Sequence, residues 1–249
     1  MKIAVCLFGY PRHYELGFKC HKNFLESVDY DFFIHSWCEE SSTQDDIEKL
    51  YNDINELYHP KKLKIEKQED FSNFFENDSN FNKKNNIDIE SIQRYISPIY
   101  SMYKVGNLLE EYLCEYDVVI VTRTDVFCNE KLKTFNIYDL NCIYSSYCEG
   151  SRWDMSLNDG IIDVKMLLSN PKNILFLTKL YENLKEYNIN NEVPLCHHEV
   201  FAHHLKKLNC SFDMIFNGVS NVWWILRDNN VLYGNLGNSN MCHYPHIFQ

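Results

Sequence analysis

The chain has 249 residues, is 45% apolar and 15% aromatic, and sets 24 Lys and Arg against 35 Asp and Glu for a net charge of −11. That length supports a full core in one domain with insertions. The acidic balance excludes general nucleic-acid binding, which depends on clustered cations, so an anionic ligand requires a local pocket of positive charge. No stretch reaches the roughly 20 apolar residues of a membrane span. The N-terminal apolar segment, Ile3 to Phe8, has no small-residue cleavage site after it and is not a signal peptide. Ten cysteines include no C-x-x-C pair, which sets aside zinc-ribbon and thioredoxin-type readings. Several sit inside apolar runs, as reduced, buried thiols do in a cytosol. The N-x-S/T matches at Asn77 and Asn209 then carry no meaning.

Lys2 to Gly9 reads as a first strand, broken by Gly9-Tyr10-Pro11-Arg12. Leu16, Cys20, Phe24 and Val28 recur every four residues and predict a helix over His13 to Val28. Asp31 to Trp37 is a second strand. Ser42-Thr43-Gln44-Asp45 supplies a helix start, and Ile47, Leu50, Ile54 and Leu57 form its apolar stripe. Lys61 to Glu66 alternates apolar and charged residues as a half-exposed strand does. Residues 69–86 are rich in Asn, Asp, Lys and Phe without a clear period and are expected to form a surface loop or lid. Helical spacing returns from Ile89 to Cys114, interrupted by Pro98. A strand over 117–122 follows, then a strand near Cys142 to Ser146 and a loop from Tyr147 to Gly160. Pro171 to Tyr187 is a helix with Pro at its first position, and Pro194 to Leu208 is another. Short strands and turns around Gly218, Gly234 and Gly237 close the chain. No internal repeat is present. The alternation predicts an α/β fold, a central mostly parallel sheet flanked by helices.

The stretch Tyr116 to Val126, YDVVIVTRTDV, carries the most chemistry. Val118 to Val121 is an uninterrupted apolar run, the pattern of a strand buried on both faces. Ligands of open α/β sheets bind beyond the carboxyl ends of such strands, where Arg123 and Asp125 are delivered. A carboxylate suits a divalent metal and a guanidinium suits a phosphate. The plain alternative is an Asp125 that caps the next turn or pairs with Arg123. Arg12 leaves the first strand at its carboxyl end, where Gly9 allows close backbone approach, and competes with the reading of a surface Arg in a turn.

Tyr100 can stack on a base and Lys104 can meet a phosphate, although aromatics at helical spacing are more often core. Cys196 to His204 contains four histidines but no H-E-x-x-H, and His198 and His203, five apart, diverge by about 140°. A zinc-protease site is therefore set aside. Glu199, at a helix start, is a candidate general base or a partner of the helix dipole. Asp159, in the turn Asn158-Asp159-Gly160, can meet sugar hydroxyls, with a plain turn as the default. His243 can complete a metal site or serve the structure alone. Trp153, Trp223 and Trp224 offer rings for sugar stacking or for the core.

Taken in order, KIAVCLFGYPR, HSW, SPIYSMYK, YDVVIVTRTDV, NDG and HEVFAHHL resemble a GT-A-type glycosyltransferase. The likeness is to small nucleotide-sugar-dependent enzymes of large DNA viruses, the chlorovirus xylosyltransferase type included, and of bacterial polysaccharide clusters. It implies a single GT-A-like (Rossmann-like) domain over 1–249, with a nucleotide-sugar-binding half at 1–126 and an acceptor-binding half at 127–249. It implies a UDP-, GDP- or dTDP-linked sugar donor, a glycan acceptor, and Mn²⁺ or Mg²⁺. Arg123-Thr124-Asp125 stands where the family carries Asp-x-Asp, so Asp125 keeps the metal role and Arg123 replaces the first carboxylate. His243 matches a late metal-assisting His, Glu199 a helix-start acid near the acceptor, and Arg12 the phosphate contact after the first strand.

The expected activity is glycosyl transfer to a glycan hydroxyl in the cytoplasm (of a host, if the chain is viral). Arg12, Arg123, Lys104 and a metal at Asp125 stabilise the departing diphosphate, while Glu199 or Asp159 takes the acceptor proton. The rival readings are a binding module of the same fold and a metal-dependent hydrolase.

Overall fold

The structure is a computed structural model that describes residues 1–75, 89–128, 131–134, 137, 139–145, 166–189, 193, 195, 197–208, 211–214, 223–227 and 231–234. Along the chain run β1 (Lys2–Gly9), α1 (Tyr14–Phe24), β2 (Asp29–Cys38), α2 (Gln44–Tyr58), β3 (Lys62–Lys67), α3 (Ile89–Glu110), β4 (Val118–Arg123) and β5 (Val126–Cys128). Then come β6 (Ile143–Ser145), β7 (Met166–Ser169), α4 (Pro171–Thr178), α5 (Leu180–Ile189), α6 (His197–Leu205), β8 (Phe212–Met214), β9 (Trp223–Arg227) and β10 (Val231–Gly234).

Seven strands form the main sheet in the order β3-β2-β1-β4-β7-β6-β8. β1 to β4 pair in parallel. β7 runs antiparallel to both β4 and β6, and β8 runs parallel to β6. Every strand but β7 therefore points the same way, and the fold is α/β with a mostly parallel central sheet. β5, β9 and β10 make a separate antiparallel sheet. Among the described residues no helix is long and apolar enough to cross a membrane.

The continuous apolar runs of β1 and β4 reflect burial on both faces. Ile3, Val5 and Leu7 of β1 pack with Phe24 of α1 and with Ile54 and Tyr58 of α2. Ala4, Cys6 and Phe8 point the other way, against Ile92, Ile96 and Ile99 of α3. Each such side chain contributes about 1.5–3 kcal/mol on leaving water. Cys6, Cys20, Cys38 and Cys142 are buried and fill core space. α2 starts where Ser42-Thr43 predicts. The Thr43 hydroxyl accepts from the Asp46 N–H, and Asp46 accepts from the Thr43 N–H, a closed capping box.

The elements depart from expectation in two places. Pro98 does not break α3, which runs through it to Glu110. Its ring lies on the cavity described below, where the surrounding elements hold the helix in place of the lost backbone bond. The helix expected over Pro171 to Tyr187 is two helices. The Thr178 hydroxyl donates to the Leu175 carbonyl and competes with the helical ladder. Thr178 is also wedged against Gly106 of α3, where an added Cβ would stand 2.2 Å from the Thr178 hydroxyl oxygen. Residues 69–75 are the described part of the segment expected to form a surface loop or lid. Phe71 and Phe75 are buried, the Phe71 N–H donates to Gln93, and the Gln93 amide donates to the Glu69 carbonyl. Residues 76–86, Asn77, Asn209, Gly218, Gly237 and the segment 147–160 lie outside the described residues.

Candidate functional site

Register decides what meets at the carboxyl edge of the sheet. Gly9 pairs with Ser36 on one side of β1, and Phe8 pairs with Arg123 on the other. A cavity of about 490 Å³ opens there, within the size range of small-molecule sites. Its wall comes from Phe8 and Gly9 of β1, Tyr10 and Arg12 after it, Trp37 of β2, Gln68 after β3 and Arg123 of β4. The first turns of α3 close it with Gln93, Arg94, Ser97 and Pro98. Three arginines thus line one cavity of an acidic protein, and no Asp or Glu is among its described lining residues. The indole N–H of Trp37, a wall residue that is fully buried, has no hydrogen-bond partner among the described residues. Such an orphan donor is costly in a closed core and is readily explained where a ligand supplies the acceptor.

The turn that carries Arg12 is held on both sides. Gly9 takes φ of +96°, which favours glycine. Its N–H donates to the Ser101 hydroxyl at 2.8 Å and its carbonyl accepts from the Ser36 hydroxyl at 3.2 Å. Ser101, occupied as an acceptor, donates its own proton to Nδ1 of His35 at 2.7 Å. His35 then carries its proton on Nε2 and donates to Glu66 at 3.0 Å. This chain of Gly9, Ser101, His35 and Glu66 satisfies every polar group in turn. Burial lowers the His35 pKa, and the hydrogen bond from His35 brings Glu66 down to about 2. Ser101 and His35 are both fully buried, so the chain is a brace beneath the cavity and offers no nucleophile.

The Arg123-Thr124-Asp125 turn is clamped as firmly. The Thr124 hydroxyl donates to the Tyr10 carbonyl at 3.1 Å, tying the two site turns together. Nε2 of His21, on α1, donates to the Val126 carbonyl at 2.8 Å. Gly17 of α1 packs onto Thr124 so closely that a Cβ would stand 2.0 Å from its carbonyl oxygen. Gly17→Ala is therefore expected to displace the turn and lower stability by about 1–3 kcal/mol. Urea titration checks the loss; wild-type stability in the variant would show that the helix can simply slide away.

Asp125 does not reach the cavity. It is fully buried, and both its oxygens accept from Arg123, from Nε at 2.7 Å and from Nη2 more closely still. The ion pair that the sequence left as the plain alternative is the one observed. Tyr100 is stacked on Trp37 with ring centroids 5.7 Å apart and donates to Glu69, one layer behind the wall. Lys104 lies 3.8 Å from Glu66 and over the Tyr100 ring. Glu199 is half-buried in the first turn of α6, also away from the lining residues. In the same helix, Nε2 of His204 donates to the Phe176 carbonyl and Nδ1 accepts from Tyr187, a structural use. Asp159, His243 and Trp153 lie outside the described residues.

Mn²⁺ or Mg²⁺ requires open carboxylate oxygens. Those of Asp125 are taken by Arg123 in a site closed to water. Among the described residues no three His, Cys, Asp or Glu side chains stand together as a metal cluster. The described residues do not fit a divalent cation at Asp125.

The architecture defines an α/β domain with a cationic cavity at the carboxyl ends of its parallel strands. Among solved structures it is similar to a crystal structure of the galactosyltransferase LgtC in complex with donor and acceptor sugar analogs. The identity is 14% and the TM-score 0.46, over 86% of this chain and 73% of that one. No protein-family model and no curated protein matches the sequence. The structural likeness is too slight to bear on activity, and the functional reading rests on the cavity and the sequence.

Proposed function

We propose that the protein is a glycosyltransferase that takes a sugar from a nucleoside-diphosphate sugar, UDP-, GDP- or dTDP-linked, and passes it to a glycan hydroxyl. One observation carries the reading: Arg12 and Arg123, from the ends of two adjacent parallel strands, line one cavity with Trp37 and Tyr10 in its wall. Guanidinium groups match phosphate oxygens in geometry and charge. An aromatic wall beside them suits a base or a sugar ring. In transfer, negative charge grows on the departing diphosphate, and fixed cations aimed at it lower the barrier. Asp125 acts in this reading by holding Arg123 in place. Glu199 and Asp159 remain the candidates for accepting the acceptor proton, each requiring a bound acceptor to bring it to the reaction. The transferred sugar, hexose or pentose, follows from the donor that binds.

A second reading, a nucleotide- or sugar-binding module without turnover, draws on the sequestered Asp125. One set of measurements separates the readings. UDP-, GDP- and dTDP-sugars are screened by melting temperature, and release of free nucleoside diphosphate is followed with and without glycan acceptors. Release only with acceptor is expected. Release without acceptor identifies a hydrolase, and stabilisation without any release identifies the module. Arg12→Ala is expected to raise the donor KM about tenfold, the worth of one good charge-assisted contact, with a smaller change in kcat. An unchanged donor KM would remove Arg12 from the site.

A further inference from the structure

We propose that the cavity takes its diphosphate on guanidinium groups alone, with Asp125 serving as the positioning residue of Arg123 and no divalent cation between protein and phosphate. The inference rests on the donor-site reading above and deepens it.

Three observations lead there. First, Asp125 is fully buried, and both its oxygens are engaged by Arg123. A cation bound there would have to expel the guanidinium from its counter-charge and find space where there is none. Second, the pairing leaves Arg123 well presented. A guanidinium has five N–H donors, and the carboxylate takes one from Nε and one from Nη2. The remaining donors belong to a group that is 29% exposed and lines the cavity. A carboxylate behind a guanidinium fixes the plane in which its outer edge meets an anion, which removes the rotamer cost of binding. Third, the turn that carries the second cation is tied to the turn that carries the first. Arg12 sits in a turn whose Tyr10 carbonyl accepts both from the Arg12 N–H at 2.8 Å and from the Thr124 hydroxyl at 3.1 Å. Thr124 lies between Arg123 and Asp125, so the two cationic turns move as one body. A guanidinium held by Asp125 and a second one on a turn tied to it, with its side chain over the Tyr10 ring, provide the charge and the donors that a metal provides elsewhere.

The test is calorimetric titration of the full chain with UDP, GDP and dTDP. Each is measured in EDTA and in MnCl₂, at low and at raised salt. The expected result is binding of at least one nucleotide in EDTA, with Kd within about threefold of the value in Mn²⁺, since the cation adds no contact to the protein. Binding should weaken with salt, as contacts between partly exposed charges do. Arg12→Lys keeps the charge and loses the fork, and should raise Kd in both buffers. Binding that appears only with Mn²⁺ would overturn the inference and leave the donor-site reading standing. Absence of binding in both buffers would overturn the two together. A Kd in EDTA indifferent to Arg12→Lys and to salt would place the nucleotide elsewhere and also overturn the inference.

Discussion

Arg123→Met is expected to cost about 3 kcal/mol of folding stability, before any effect on a ligand. Deleting one member of a buried ion pair leaves the other charge without compensation, and such deletions cost about 3–5 kcal/mol. The lower end applies because the Arg123 side chain is 29% exposed while Asp125 is closed off entirely. Water reaches the guanidinium and screens it, yet cannot reach the carboxylate. Asp125→Asn in the Arg123→Met background should regain most of the loss, since a neutral amide is far cheaper to bury than a carboxylate. Urea titrations of the two singles and the double form a cycle, and the coupling should exceed about 1 kcal/mol for residues in direct contact. Additive losses would mean that the two side chains stabilise the fold independently and that Asp125 does not hold Arg123. The outcome also bears on the cavity, because a guanidinium that depends on Asp125 for stability depends on it for orientation.

The sequence was legible wherever burial alone dictates the residue. β1 and β4 have continuous apolar runs because they lie inside the parallel part of the sheet, and Thr43 announces α2 because its cap needs a hydroxyl. Arg12 and Arg123 could be placed at the strand ends by the same logic, and the register brings them to one cavity. What escaped was decided across elements. β7 reads as a short apolar run with no period, and its antiparallel direction follows only from its partners. Arg94, Ser97 and Pro98 reach the cavity because their spacing of three and four puts them on one face of α3. That signal was present, but Pro98 made the helix look broken. The link from Gly9 through Ser101 to His35 joins residues 92 and 66 apart, and no local pattern marks it. The spacing of the histidines at 197–204 sets aside a zinc-protease site, but it does not tell which ring turns inward. His204 faces the core, stacked on Phe176.

Acid is expected to unfold the protein in two distinct windows. His21 and His204 are buried as neutral rings, and burial lowers each pKa from 6.5 to about 4. For His21 the carboxylate of Asp125 and the Val126 and Arg123 carbonyls pull the other way without overcoming burial. For His204 the hydrogen bond to the Phe176 carbonyl opposes burial, and Lys207 and His203 reinforce it. The geometry agrees. Nδ1 of His21 is buried and has no hydrogen-bond partner among the described residues, so a proton there would be taken up away from water. Nδ1 of His204 already accepts from Tyr187, so a proton there forces the hydroxyl to turn. The unfolded chain binds these protons near pH 6.5 and the folded one does not. Stability is therefore level above that pH and falls as pH drops toward 4, by on the order of 3 kcal/mol for each ring. Glu66 supplies the second window. Its pKa lies at about 2 in the fold against 4.5, so its contribution is intact above pH 4.5 and is lost only below it. Urea unfolding at pH 7.5, 6, 4.5 and 3 should show a steady loss across the first window and a further loss at the last point. His204→Gln, whose amide can donate to Phe176 and accept from Tyr187, should reduce the slope there and leave the lower window unchanged. A free energy of unfolding that holds constant from pH 7.5 to 4.5 would mean that the buried rings take up protons as readily as exposed ones, and the hydrogen-bond assignments at His21 and His204 would fall with it.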